Sequence, residues 1–136
     1  IIFRDVYQIE PFGNTILTMK LKGKDIREFI ESVLNDNYHS VQISGLTIYY
    51  FFDTKTNSYK LFDIFVNNIP LYDNQFYNIA TPNYIGMGND GYTVFLKGIE
   101  KKDSGILIRE ALNEYVINNS PIKSYFNNRI IFMGNR

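Results

Sequence analysis

Apolar and polar positions along the chain alternate between two periods. Arg4 to Ile9 is short enough for one or two helical turns and is stopped by Pro11. From Asn14 to Leu21 the pattern has a strand period, with Ile16, Leu17, Met19 and Leu21 set among Thr and Lys, and Gly23 breaks it. Asp25 to Leu34 switches to helical spacing, which puts Ile26, Phe29, Ile30, Val33 and Leu34 on one face. Val41 to Phe52 is β-branched and aromatic and predicts one long strand. After it, Asp53 to Ser58 is a polar turn and Tyr59 to Val66 a second strand. Asn67-Asn68-Ile69-Pro70 predicts a turn into a short edge piece, and Phe76 to Thr81 another strand. Asp103 to Asn118 again has helical spacing, with Ile106, Leu107, Ala111, Leu112, Tyr115 and Val116 inward, and Arg129 to Met133 closes the chain as a short strand. Runs of strands separated by two main helices predict an α+β fold with a mixed β-sheet, and the absence of any linker-like stretch predicts a single domain over 1–136.

Composition adds exclusions. Hydrophobic content of 45% and charged content of 21% are ordinary for a globular chain of 136 residues. Aromatic content is 16%, all Tyr and Phe, which supplies many ring faces for packing or stacking. The formal net charge is zero and the basic residues are scattered, so a nucleic acid polymer is not the expected partner. With no cysteine there is no disulfide, thiolate metal site or Cys nucleophile, and no apolar run is long enough for a membrane span. His39, the single histidine, sits in a polar segment and reads as a solvated surface residue. One histidine and no G-x-S-x-G elbow leave neither a two-metal centre nor a nucleophilic triad within this chain.

Two segments carry candidate chemistry. Gly86-Met87-Gly88-Asn89-Asp90-Gly91 matches the G-x-G-x-x-G pattern in letters. The dinucleotide reading requires a helix directly afterwards, whereas Tyr92 to Leu96 reads as a β-type run. The stretch Pro82–Tyr92 is better read as a glycine-rich loop that lets the backbone approach a ligand, or as a plain turn in which Asp90 bonds its own backbone. In Pro11-Phe12-Gly13-Asn14 the Phe12 ring either plugs the core, which residue physics alone favours, or faces a cleft.

Taken in order, these segments resemble the C-terminal domain of the 5′-nucleotidase family, which includes UDP-sugar hydrolases and 2′,3′-cyclic-nucleotide phosphodiesterases. The resemblance runs through Asp5-Val6-Tyr7 to Pro11-Phe12-Gly13-Asn14-Thr15, then Leu21-Lys22-Gly23-Lys24-Asp25-Ile26, Gln42-Ile43-Ser44-Gly45-Leu46 and Val66-Asn67-Asn68-Ile69-Pro70-Leu71. It continues through Tyr77 to Thr81, Pro82-Asn83-Tyr84, Gly88-Asn89-Asp90-Gly91-Tyr92 and Asn128-Arg129-Ile130. It implies a substrate-recognition domain partnered by an N-terminal metallophosphoesterase domain of the same chain. That partner domain would hold two divalent metal ions and the catalytic residues, and none of either is expected in this domain. It further implies that Phe12 and Tyr84 stack the base of a nucleotide or nucleoside, that Asp90 accepts the ribose hydroxyls, and that Gly88 and Gly91 permit the approach. Asn89 departs from the family's second Gly, and its tolerance of left-handed backbone is expected to preserve the turn. The family's phosphate-binding arginines precede the P-F motif, so no phosphate site is assigned, and Arg4 reads as a surface or helix residue. A start at Ile1-Ile2-Phe3 without Met reads as a piece of a longer protein. The family habit implies a periplasmic, cell-surface or secreted bacterial enzyme. The competing readings are a stand-alone nucleoside-binding module and a structural module whose aromatic residues are all core.

Overall fold

The computed structural model describes residues 2–36, 41–124 and 126–136. His39 lies outside the described residues. The elements in order are α1 (Phe3–Ile9), β1 (Thr15–Lys22), α2 (Gly23–Leu34), β2 (Thr47–Asp53), β3 (Ser58–Val66), β4 (Ile69–Pro70), β5 (Phe76–Pro82) and α3 (Asn83–Gly86). Two 3-10 turns follow, Asn89–Gly91 and Thr93–Lys97, and then β6 (Ile99–Leu107), α4 (Ile108–Asn118) and β7 (Ile130–Asn135). The fold is α+β, as the alternation of periods predicts. It holds two sheets instead of one, and the chain divides into two compact units, Ile1–Leu21 with Tyr77–Tyr125 and Lys22–Phe76 with Phe126–Arg136.

The first unit is built on a three-stranded sheet of order β5-β1-β6. β1 alternates as a half-buried strand must: Leu17, Met19 and Leu21 are buried while Thr18 faces solvent. It pairs antiparallel with β6, with Thr15 opposite Leu107 and Lys20 opposite Ile99, and two register shifts between. α1 packs on α4 in this unit, with Val6 its buried residue. Two glycines make room for Met19. A Cβ on Gly86 would meet Leu17, Thr81 and Met19 side chains, and one on Gly98 would overlap the Met19 sulfur.

The second unit carries a mixed sheet of order β4-β3-β2-β7, antiparallel except where β2 runs parallel to β7. α2 packs on β3, which buries Ile26, Ile30, Ile48 and Ile64. Ile64 is fully enclosed, a burial that stabilises the unit by about 1.5–3 kcal/mol. Tyr50, Tyr59, Phe52 and Phe132 form a connected ring cluster with centroid separations of 5.1 to 6.3 Å, and Arg136 lies over Phe51 and Phe62 at 4.9 and 5.0 Å. α2 starts at Gly23, where the Gly23 amide donates to the Gln75 carbonyl at 2.9 Å and a side chain would collide with the Tyr72 backbone.

Three expected elements differ, each for a local reason. The strand expected over Val41 to Phe52 begins only at Thr47, because Gly45 turns the backbone at φ +79°. The helix expected from Asp103 begins at Ile108. Residues Ile99–Leu107 pair with β1, and Asp103 accepts the Gly105 amide at 2.9 Å across a turn that puts Gly105 at φ +70°. Of its expected inward side chains, Ile106 and Tyr115 are exposed at 50% and 52%, and the others are half-buried. The β-type run Tyr92 to Leu96 is a 3-10 turn, closed by the Gly98 amide on the Phe95 carbonyl at 3.1 Å. A strand there would send Val94 and Phe95 to opposite faces, whereas the turn buries both.

Candidate functional site

All five site residues expected from the sequence fall in the first unit. Phe12 lies between α1 and β1, Tyr84 in the short helix α3, and Gly88, Asp90 and Gly91 in the turn that follows. The Phe12 ring is 65% exposed and Tyr84 is 47% exposed, so neither plugs the core as residue physics alone would have Phe12 do. Among the described residues neither ring pairs with another ring or with a cation.

A set of hydrogen bonds holds the segments in place. Asn83 Oδ1 accepts the Tyr84 amide at 2.8 Å and the Thr15 amide at 3.2 Å, which ties the start of α3 to the start of β1 just beyond Phe12. The Phe12 carbonyl accepts from the Arg109 guanidinium at 3.2 Å, and Arg109 also lies over the Tyr7 ring at 5.6 Å. The Ile108 amide donates to the Asn14 carbonyl at 3.0 Å, so the first turn of α4 grips both ends of Phe12-Gly13-Asn14. Asn14 in turn donates to Glu10 Oε1 at 3.2 Å. At the far side of α3, Lys101 donates to the Gly86 carbonyl at 3.2 Å, placing a cation at the helix C-terminus.

The glycine-rich turn is built differently from the expectation. Gly88 and Gly91 take left-handed backbone at φ +84° and +81°. Asn89 does not; the left-handed non-glycine residue is Asp90, at φ +52°. Asn89 serves through its side chain, whose amide donates to the Tyr84 carbonyl at 2.8 Å, a bond that Gly at this position lacks. A Cβ on Gly88 would meet the Leu96 side chain at 2.9 Å, while around Gly91 the space is open. The turn follows a helix and precedes a five-residue 3-10 turn, so it lacks the strand–glycine–helix context of a dinucleotide site.

Asp90 is exposed and its Oδ1 accepts the Tyr84 hydroxyl at 3.2 Å. That bond, together with the carboxylate charge, holds the Tyr84 phenol above the usual phenol range. Asp103 is shifted the other way: the Gly105 amide and then the Thr15 hydroxyl, at 2.8 Å, hold its carboxyl below the usual range. Among the described residues no group of three or more His, Cys, Asp or Glu could hold a metal ion. Arg4 is an exposed residue of α1. Sequence reasoning missed Asn83, Arg109 and the role of the Asn89 side chain. Asn83 has a local signal, an Asn directly after Pro at a helix start, whereas Arg109 is brought to Phe12 across 97 positions and has none.

A match to the 5′-nucleotidase C-terminal domain spans residues 1–97, and the chain belongs to that family. Over 125 residues it is 25% identical to protein UshA of Yersinia enterocolitica, covering 90% of this chain and 22% of that protein. It is 27% identical over 119 residues to the trifunctional nucleotide phosphoesterase protein YfkN of Bacillus subtilis, covering 81% of this chain and 8% of the relative. The chain therefore spans about a fifth of the first relative's length and less of the second. In structure it is similar to the 5′-nucleotidase precursor of Thermus thermophilus, with a TM-score of 0.83 and 28% identity over 97% of this chain and 28% of that one. No helix among the described residues is long and apolar enough to cross a membrane.

Proposed function

We propose that this chain is the substrate-recognition domain of a 5′-nucleotidase-type two-metal phosphohydrolase, and that it binds the base and ribose of a nucleotide through Phe12, Tyr84 and Asp90. The observation that carries the reading is the exposure of two aromatic residues, Phe12 and Tyr84, on segments tied together through Asn83, with the Asp90 carboxylate at the edge of one ring. A base stacked on such a ring gains about 1–3 kcal/mol, largely regardless of which base it is. A carboxylate can accept from two neighbouring hydroxyls at once, which suits the vicinal diol of ribose and disfavours a 2′-deoxyribose. Gly88 and Gly91 supply the left-handed turns that carry Asp90 to the rim. The two divalent metal ions and the hydrolytic chemistry belong, in this reading, to a metallophosphoesterase domain of the same protein, in a periplasmic, cell-surface or secreted enzyme.

Calorimetric titration of the chain with adenosine and with 2′-deoxyadenosine tests the site. Weak binding is expected, tighter for adenosine, and Asp90→Ala should bring the two together. Equal binding of both nucleosides by the unaltered chain, or no loss on Asp90→Ala, removes the ribose role. Binding that is unaffected by Phe12→Ala removes the stacking role.

A further inference from the structure

We infer that the Tyr84 hydroxyl is a specificity-determining group: by holding the Asp90 carboxylate it sets how strongly this chain distinguishes a ribose from a sugar that lacks the 2′,3′-diol. The inference rests on the reading of Tyr84 and Asp90 proposed above.

Among the described residues, the Tyr84 hydroxyl is the one group that bonds the Asp90 side chain, and it does so at 3.2 Å. Asp90 sits exposed on a left-handed turn. The Tyr84 backbone is held at both ends, its amide by Asn83 Oδ1 at 2.8 Å and its carbonyl by the Asn89 side chain at 2.8 Å. The backbone that carries the ring is therefore held in place, and the carboxylate is tethered to the tip of the ring. A phenol hydroxyl lies in the plane of its ring, so the tether itself covers neither ring face. It uses one of the roughly four lone-pair positions of the carboxylate, and it leaves Oδ2 wholly available to a diol. One residue thus serves the base through its face and the sugar through its edge. The raised titration of the phenol agrees with a hydroxyl that donates to a charged acceptor.

The experiment measures the affinity of the chain for adenosine and for 2′,3′-dideoxyadenosine, in the unaltered protein and in Tyr84→Phe, Asp90→Asn and the double variant. Phe keeps the stacking face, so dideoxyadenosine binding should change by less than about twofold. Adenosine binding should weaken by about three- to tenfold, the order of one typical net hydrogen bond. In the Asp90→Asn background the same Tyr84→Phe change should have a smaller effect on adenosine. An independent signature comes from carbon-13 NMR of ring-labelled tyrosine: the Tyr84 signal, assigned by its loss in Tyr84→Phe, should titrate above the usual phenol range and move down in Asp90→Asn. If both nucleosides weaken in parallel in Tyr84→Phe, the hydroxyl only maintains the ring and the inference falls. If the unaltered chain discriminates through Asp90 but Tyr84→Phe leaves the ratio unchanged, the inference falls while the proposed site stands. If the unaltered chain does not discriminate, or Asp90→Asn leaves its ratio untouched, the site reading fails and takes the inference with it.

Discussion

The two units put the same kind of residue to opposite uses. In the unit built on β2, β3, β4 and β7 the rings contact one another or an arginine: Tyr50, Tyr59, Phe52 and Phe132 pack at tilted and edge-on angles, and Phe51 and Phe62 sit beneath Arg136. In the unit built on β1, β5 and β6, Phe12 and Tyr84 are exposed, pair with no ring or cation among the described residues, and are held by backbone and edge contacts. A ring that packs is positioned by the burial it gains. A ring that presents its face to solvent forgoes that term and has to be positioned by hydrogen bonds at its backbone or rim. An exposed aromatic residue that its neighbours hold still is a stronger pointer to binding than exposure alone.

That contrast can be broken by substitution. The largest expected effect is on folding: Ile64→Ala, at the enclosed centre of the second unit, should lower unfolding stability by about 2–5 kcal/mol in denaturant titrations and leave any nucleoside contact unaltered in kind. Phe12→Ala should do the reverse. Stability should shift by less than about 0.5 kcal/mol, as for an exposed surface position. Nucleoside affinity should fall by about 1–3 kcal/mol, the worth of one stacking partner. A Phe12→Ala protein that unfolds as readily as Ile64→Ala would mean the ring is packing after all. Arg109→Ala sharpens the comparison, since it removes the bond to the Phe12 carbonyl without touching the ring face. Its expected loss is about 1 kcal/mol of affinity, equal for adenosine and 2′-deoxyadenosine, because it acts on the base side alone.

The smallest effect is one of pH. The carboxyl of Asp103 is depressed in the folded chain by the Gly105 amide and the Thr15 hydroxyl. Its contribution to stability is therefore present above the unfolded carboxyl value of about 3.9 and is lost as pH falls through the lower folded value. Melting curves should show Asp103→Asn slightly less stable than the unaltered chain at neutral pH and the gap closing in strong acid. A gap that widens in acid would contradict the assignment.

Much of this was legible in the sequence, and each part that was not has a physical reason. The period-2 run around Leu17, Met19 and Leu21 and the helical face through Ile26 and Ile30 are strong because each belongs to an element whose one side is buried. Val94 and Phe95 misled because adjacent apolar residues satisfy a strand pattern as readily as they satisfy a short turn that buries both. Asp103 misled because it has the chemistry of a helix cap and uses it on the turn at Gly105, and pairing with β1 then extends the strand. For the candidate site, the glycines, Phe12, Tyr84 and Asp90 were visible as residue types in a recognisable order. Asn83 and Arg109 matter through contacts at sequence distances of 68 and 97, which no local window contains.

The left-handed backbone at Asp90 has a consequence for anyone who engineers this domain. An L-residue with a side chain resists that conformation by about 1–2 kcal/mol, less for Asp, and glycine does not resist it at all. A selection for heat tolerance or expression yield would therefore favour Asp90→Gly, and the enriched library would look improved by every assay of folding. It would also have discarded the carboxylate. Screens of this domain should carry a ligand-retention step from the first round, because under the proposed reading the winner for robustness at this position is the loser for recognition.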